Sequence, residues 1–312
     1  MTSACAPGKI ILLGEHAVVY GRPALAVPVR QVQACARVEA AGSGPPGGVL
    51  LVSPDLALAS WLSDLPAGHP LAAISRATLA ALAPGPFAPI RVTITSTIPV
   101  ASGLGSSAAV SVAVARALIQ HFGGDLGQGR VSELAFEVER IHHGTPSGID
   151  NTVVAFDRPV FFRRGETPEP LAIGGSFRFL IGDTGVAAPT AEAVGRVRQR
   201  WQADPPALEA AFDRIAALVL DARLALLLGD VDRLGADLRR NHALLQELDV
   251  SSVELDGLVQ AADAAGALGA KMSGGGMGGN MIALVSADRR ESVAEALRRA
   301  GAVGVLQTEV AP

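Results

Sequence analysis

A chain of 312 residues that is 49% hydrophobic and 18% charged has enough apolar mass for two packed cores, since single cores rarely grow past about 250 residues. A net charge of -4, with nine Phe, two Trp and one Tyr, supplies neither the basic footprint nor the stacking platforms of a nucleic-acid binder. Charges or turns break every apolar stretch before the roughly 18 residues of a membrane span, so a soluble cytoplasmic protein without nucleic-acid or membrane partners is expected.

The first element in chain order is a short apolar strand, Gly8-Lys-Ile-Ile-Leu-Leu-Gly14, which ends on the polar pair Glu15-His16. Cys5 and Cys35 have no CxxC or His-spaced partner and read as unpaired core thiols. Ala41 to Gly48 is rich in Gly, Pro and Ser and reads as a surface loop. Ile90 to Ser96 alternates apolar and polar residues, the period of a half-buried strand. Pro99 ends it, and Ser106 to Gln120, with Arg116 as its one charge, reads as a largely buried helix.

Between that strand and helix lies Pro99-Val-Ala-Ser-Gly-Leu-Gly-Ser-Ser107. Glycines let backbone amides approach an anion, and the helix that follows presents unpaired N–H groups and a positive dipole end. The segment is a phosphate cradle of neither the GxxxxGK[ST] nor the GxGxxG kind, because it has no lysine and the wrong glycine spacing. Leu134, Val138 and Ile141 recur at helical spacing, with Glu139 beside them, in a helix that stops near Gly144. Next comes His143-Gly-Thr-Pro-Ser-Gly-Ile-Asp-Asn151, a tight loop ending in the carboxylate of Asp150. Adjacent histidines point in different directions on a helix, so His142 and His143 read as structural and not as a metal pair.

Phe177 to Gly182 reads as a strand leading to Thr184, and residues 190 to 266 as a helix-rich stretch in which Leu208, Phe212, Ile215 and Val219 mark a buried face. Lys271-Met-Ser-Gly-Gly-Gly-Met-Gly-Gly-Asn280 places five glycines where a backbone passes close to something. A strand at Met281 to Val285, a helix at Glu291 to Arg299 and a strand at Val303 to Val310 close the chain. Sheet signals at both ends with helices between them predict two α+β lobes, 1–177 and 178–312. Of 26 basic residues only Lys9 and Lys271 are lysines, and both flank glycine-rich segments.

Together with Ala6-Pro-Gly-Lys-Ile-Ile-Leu-Leu-Gly-Glu-His-Ala-Val-Val-Tyr-Gly21, these segments resemble the three ordered motifs of the GHMP kinases. Gly14-Glu-His-Ala-Val-Val-Tyr-Gly21 is most similar to the mevalonate kinase branch, whereas galactokinases usually continue Gly-Glu-His with Thr-Asp-Tyr. The resemblance implies an N-terminal lobe like ribosomal protein S5 domain 2, a ferredoxin-like C-terminal lobe and an active site in the cleft between them. It implies ATP phosphates held by Pro99, Ala101, Ser102, Gly103, Leu104, Gly105, Ser106 and Ser107, with Gly275 approaching from the other lobe. Asp150 and Lys9 correspond to the catalytic pair and Ser107 and Glu139 to ligands of Mg2+. Glu15, His16 and Thr184 are the substrate-side residues, and mevalonate is the implied acceptor for ATP. A homodimer is a candidate assembly. The alternatives are a sibling kinase acting on phosphomevalonate, the mevalonate 3-hydroxyl, galactose or homoserine, and a non-catalytic sensor on the same fold.

Overall fold

The computed structural model of the protein describes residues 1–99, 102–143, 146–187 and 190–312. The chain forms two compact units, the first made of Met1–Gly8, Val32–Pro99 and Gly105–Asp157 and the second of Lys9–Gln31, Val100–Leu104 and Arg158–Pro312. Two long strands, β1 (Thr2–Leu13) and β2 (Ala24–Ala40), contribute to both.

The first unit continues through β3 (Val49–Ser53), β4 (Leu58–Trp61), helix α1 (Pro70–Leu82) and β5 (Ile90–Ser96). Ala34 to Ala40 of β2 pair antiparallel with β5, β3 runs parallel to β5, and β4 closes the edge antiparallel to β3. The alternation read in β5 has its physical basis here: Ile90, Val92 and Ile94 are buried in the core, while Arg91 and Thr93 are half-buried. Three helices follow, α2 (Ser106–His121), α3 (Gly127–His143) and α4 (Ile149–Phe156). Helix α2 packs against α1, α3 and α4, which a helix rich in Ala and Val permits because small side chains allow close approach on several faces. Its guanidinium, Arg116, donates to the Cys5 carbonyl at 3.1 Å and the Ala155 carbonyl at 2.8 Å, tying β1 and α4 to the helix.

Cys5 and Cys35 are not separate thiols as the sequence suggested: they form a disulfide between β1 and β2. Their separation of 30 residues hid the pairing, because only the adjacency of the two strands brings them together. Closing a loop of that size removes about 3 to 4 kcal/mol of unfolded-state entropy on the chain-entropy account.

In the second unit Ala24 to Ala26 of β2 pair with β6 (Val160–Phe162), which pairs with β7 (Glu169–Pro170). The chain then runs through β8 (Phe177–Asp183), helices α5 (Thr190–Ala203), α6 (Pro205–Leu228), α7 (Val231–Glu247) and α8 (Val253–Ala264), β9 (Gly269–Ser273), β10 (Asn280–Val285), α9 (Arg290–Arg299) and β11 (Gly304–Val310). Strands β11-β8-β10-β9 form an antiparallel sheet in that order. This is the strand order of a ferredoxin-like sheet, as the resemblance implied.

Leu208, Phe212, Ile215 and Val219 are buried along α6, as their spacing predicted. Asp204, Asp230 and Ser252 cap α6, α7 and α8 by accepting from the N–H groups of Ala207, Arg233 and Leu255, at 3.2, 3.0 and 3.3 Å. Helix α7 lies very close to β9, where a Cβ on Gly235 would stand 2.1 Å from the Leu268 carbonyl oxygen. Only glycine allows that approach, and it sets the end of α7 beside the strand that carries Lys271. Among the described residues no helix is long and apolar enough to cross a membrane.

Candidate active site

In the first unit Gly105, Ser106 and Ser107, the end of the glycine-rich segment, open α2. Gly105 is the N-cap, in the left-handed region at φ 75°, and has no side chain to occupy the first-turn N–H groups. Ser106 and Ser107 take the next two positions, so their hydroxyls stand at the positive end of the helix. Glu139 is buried on α3, which packs against α2. Pro99 is the last described residue before the loop, and Ala101 lies outside the described residues.

Asp150 is the second residue of α4, half-buried, behind Gly148 at φ 92°. Its neighbours fix it. The Asn151 amide donates to the Ser132 carbonyl at 3.1 Å and the Ser132 hydroxyl at 2.9 Å, joining α4 to α3. The Thr152 hydroxyl closes back on the Gly148 carbonyl at 2.6 Å, and the Ile149 N–H donates to the Ser147 hydroxyl at 3.3 Å. These bonds leave the Asp150 backbone little freedom, which suits a carboxylate that must hold one direction.

In the second unit the first and third motifs come together. The Ser273 hydroxyl donates to the Ile11 carbonyl at 3.0 Å and accepts from the Ile11 N–H at 3.2 Å, so the end of β9 is stitched to β1. Lys9, buried on β1, donates its backbone N–H to the Leu104 carbonyl at 2.9 Å, and the Asn280 amide donates to the Ser102 carbonyl at 2.6 Å. Ser102 and Leu104 are thus anchored through their backbone carbonyls by residues distant in sequence.

The turn after β1 is strained. Gly14 has φ 105°, and a Cβ there would stand 2.5 Å from the Ala24 Cα. His16, not a glycine, has φ 60°, a conformation that persists only where its surroundings over-determine it. Its ring supplies one restraint: Nε2–H donates to the Gly275 carbonyl at 2.9 Å, since a carbonyl can only accept. Burial lowers the His16 pKa to about 4, opposed by the Gly275 hydrogen bond and reinforced by the positive charge of Lys271. At neutral pH the ring is therefore uncharged, with its proton on Nε2 and Nδ1 an acceptor.

Glu15 is 1% exposed and Lys271 0%. The Lys271 ammonium donates to Glu15 Oε1 and to the Met272 carbonyl, while the Asn241 amide donates to Glu15 Oε2 at 3.3 Å. Burial lowers the Lys271 pKa against the opposing pull of Glu15, and the charge of Lys9 lowers it further. Thr184 is also buried, its hydroxyl donating to the Gly279 carbonyl at 2.8 Å and accepting from the Val186 N–H at 3.2 Å.

Of the residues singled out in the sequence, Asp150, Glu139, Ser106 and Ser107 belong to the first unit, and Lys9, Glu15, His16, Ser102, Leu104, Thr184 and Gly275 to the second. Sequence reasoning assigned Lys271 no partner and passed over Asn241, Ser273 and Asn280. The scarcity of lysine was the available signal for Lys271. Nothing in the local sequence marks Asn241, which reaches Glu15 across 226 positions.

The family model of the GHMP kinase N-terminal domain matches residues 71–157, and that of the C-terminal domain matches residues 222–303. The chain is 36% identical to a mevalonate kinase of Pyrococcus horikoshii over 97% of its own length and 94% of the relative's. Among solved structures it is similar to L. major mevalonate kinase in complex with R-mevalonate, with a TM-score of 0.84 and 29% identity over 100% of this chain and 96% of that one. Phosphomevalonate kinase of Streptococcus pneumoniae, in complex with phosphomevalonate and AMPPNP, reaches the same TM-score of 0.84 at 18% identity, covering 99% of this chain and 100% of that one. Shape alone thus does not separate the two activities. The chain belongs to the GHMP kinases, in the mevalonate kinase family.

Proposed function

We propose that the chain transfers the γ-phosphoryl group of ATP to the primary hydroxyl of mevalonate, forming 5-phosphomevalonate and ADP in the cytoplasm, within the mevalonate route to isoprenoids. The observation that carries this reading is the near-full-length similarity to mevalonate kinases, with every charged position of the family motifs filled. The hydroxyl oxygen forms a bond to the γ phosphorus, the bond from phosphorus to the β–γ bridging oxygen breaks, and the hydroxyl proton leaves to a base. Asp150 takes that proton, and Lys9 stabilises negative charge on the acceptor oxygen. If the transition state is loose, orienting the hydroxyl outweighs early proton removal in the work of Asp150. The first-turn N–H groups of α2 and the loop from Ser102 to Ser107 hold the phosphates.

On the acceptor side a neutral His16 with an unprotonated Nδ1 favours accepting a hydrogen bond from a substrate hydroxyl over pairing with the carboxylate. Glu15, with both carboxylate oxygens engaged, supports the turn that carries His16, and Thr184 and Gly275 shape the loop beside it. A homodimer is kept as the candidate assembly.

Ser107 and Glu139 fit magnesium, because a hydroxyl and a buried carboxylate on packed helices are the hard oxygen donors it prefers alongside phosphate and water. The ion neutralises charge on the β and γ phosphates when bound. Glu139→Gln is expected to raise the Mg2+ concentration for half-maximal rate by about tenfold, with partial rescue by excess metal, since an amide is a weaker ligand for a hard cation. An unchanged titration would assign Glu139 to helix packing alone.

The direct test is ADP release with mevalonate, phosphomevalonate, galactose and homoserine. Turnover confined to mevalonate is the expected result. Turnover of a different acceptor would move the chain to a sibling kinase, and turnover of none would favour a sensor.

A further inference from the structure

We infer that Lys271 is a positioning residue for the acceptor side of the reaction: its buried ammonium clamps the Glu15 carboxylate and thereby holds the strained Gly14–His16 turn in its working conformation. The inference rests on reading His16 as a substrate-side group.

Lys271 lies on β9 opposite Ile282 of β10, and no part of it reaches solvent. An ammonium in such a place loses its hydration, a cost of several kcal/mol that close partners must offset. Its partners are Glu15 Oε1 and the Met272 carbonyl. The second Glu15 oxygen is held by Asn241 from α7. Next to Asn241, His242 accepts from the Met272 N–H through Nδ1 at 3.4 Å and pairs through Nε2 with Asp256 at 3.2 Å. Two consecutive residues of α7 thus reach the two ends of one arrangement, Asn241 the carboxylate and His242 the strand that carries the lysine.

What the clamp restrains is the residue before His16. At φ 60° a histidine relaxes toward the right-handed or extended region unless both sides of the torsion are held. On the far side the ring is bonded to Gly275. On the near side the backbone bonds of the turn, Ala17 N–H to Glu15 O at 2.7 Å and Val18 N–H to Gly14 O at 3.1 Å, are local and would move with it. The side-chain tie from Glu15 to Lys271 and Asn241 fastens the turn to β9 and α7. Here the compactness of lysine matters: a chain that uses arginine almost throughout keeps an ammonium where a planar fork would crowd a sealed site. Lys271 also helps keep His16 uncharged.

The test is steady-state kinetics on Lys271→Met, which keeps length and volume and removes the charge, on Glu15→Gln and on the double variant, with melting temperatures recorded for each. Lys271→Met should raise the KM for mevalonate about tenfold and lower kcat/KM for it about 10- to 100-fold, the scale of a misplaced substrate group, while the KM for ATP stays within about twofold of wild type. In the Glu15→Gln background Lys271→Met should add less than about a twofold further loss, because a residue acting through Glu15 has nothing left to act on. Equal effects on both substrates, or additive losses in the double variant, would overturn the inference and leave Lys271 a packing residue. Should Lys271→Met fail to fold, Asn241→Ala releases the other carboxylate oxygen and should give a smaller rise, about threefold, in the mevalonate KM alone; an unchanged value would overturn the inference equally. Wild-type turnover separates the two readings. If the wild type phosphorylates a different acceptor, the proposed substrate is wrong and the same kinetics are run with that acceptor.

Discussion

Asp150→Asn is expected to lower kcat by about 10²- to 10⁴-fold, the range for loss of a positioned general base, while the KM for ATP stays within about threefold of wild type. The amide has the shape of the carboxylate, and the bonds that fix the start of α4 run through Ser147, Gly148, Ser132, Asn151 and Thr152, none of which the substitution touches. Circular dichroism checks that the variant folds. A carboxylate in the first turn of a helix contributes about 0.3 to 1 kcal/mol through the helix dipole, and the melting temperature is recorded to separate loss of stability from loss of rate. What the substitution would remove is the proposed proton acceptor, and single-turnover measurements should place the defect in the chemical step. A kcat near wild type would reduce Asp150 to a helix-terminus acid with no part in transfer.

The second large effect is expected at Lys9. Lys9→Arg should lower kcat/KM by about 10²-fold, the cost of a small misplacement in a reacting centre, with both substrates still bound. The strand holds the backbone in place, since the Lys9 N–H bonds to the Leu104 carbonyl. The side chain is buried, so a larger head cannot swing into water. A planar fork prefers two parallel bonds to a carboxylate, whereas an ammonium leaves one compact charge for a developing alkoxide. If Lys9→Arg retains wild-type kcat/KM, the role given to its ammonium is wrong. From sequence the same change at Lys271 looks mild, because that residue had no partner. Its complete burial against Glu15 adds a cost in stability: overpacking a filled site costs about 1 to 3 kcal/mol, and a lower melting temperature should accompany Lys271→Arg.

The strand Ile90 to Ser96, the helix α2 and the closing strand, helix and strand of the second unit are all legible in the sequence. They are legible because each depends on local rules: period-two or period-3.6 burial, a proline or glycine boundary, and glycines where a backbone must take φ above zero. The family resemblance supplied the ferredoxin-like topology that periodicity alone does not contain, and the β11-β8-β10-β9 order agrees with it.

Residue order alone carries the inventory of chemistry: a glycine-rich segment of neither common phosphate-binding kind, a carboxylate behind a tight turn, two rare lysines and a Glu-His pair at a strand end. The partnerships depend on how the chain folds. Cys5 met Cys35 because β1 and β2 are neighbours, and Glu15 met Lys271 and Asn241 from positions more than 220 residues away. The pKa of His16 and the engagement of Thr184 followed from the same packing. The physical reason is that desolvation and pairing depend on distance through space. A lysine in a sequence carries its charge, but whether that charge faces water, a phosphate or a buried carboxylate is set when the strands and helices around it close.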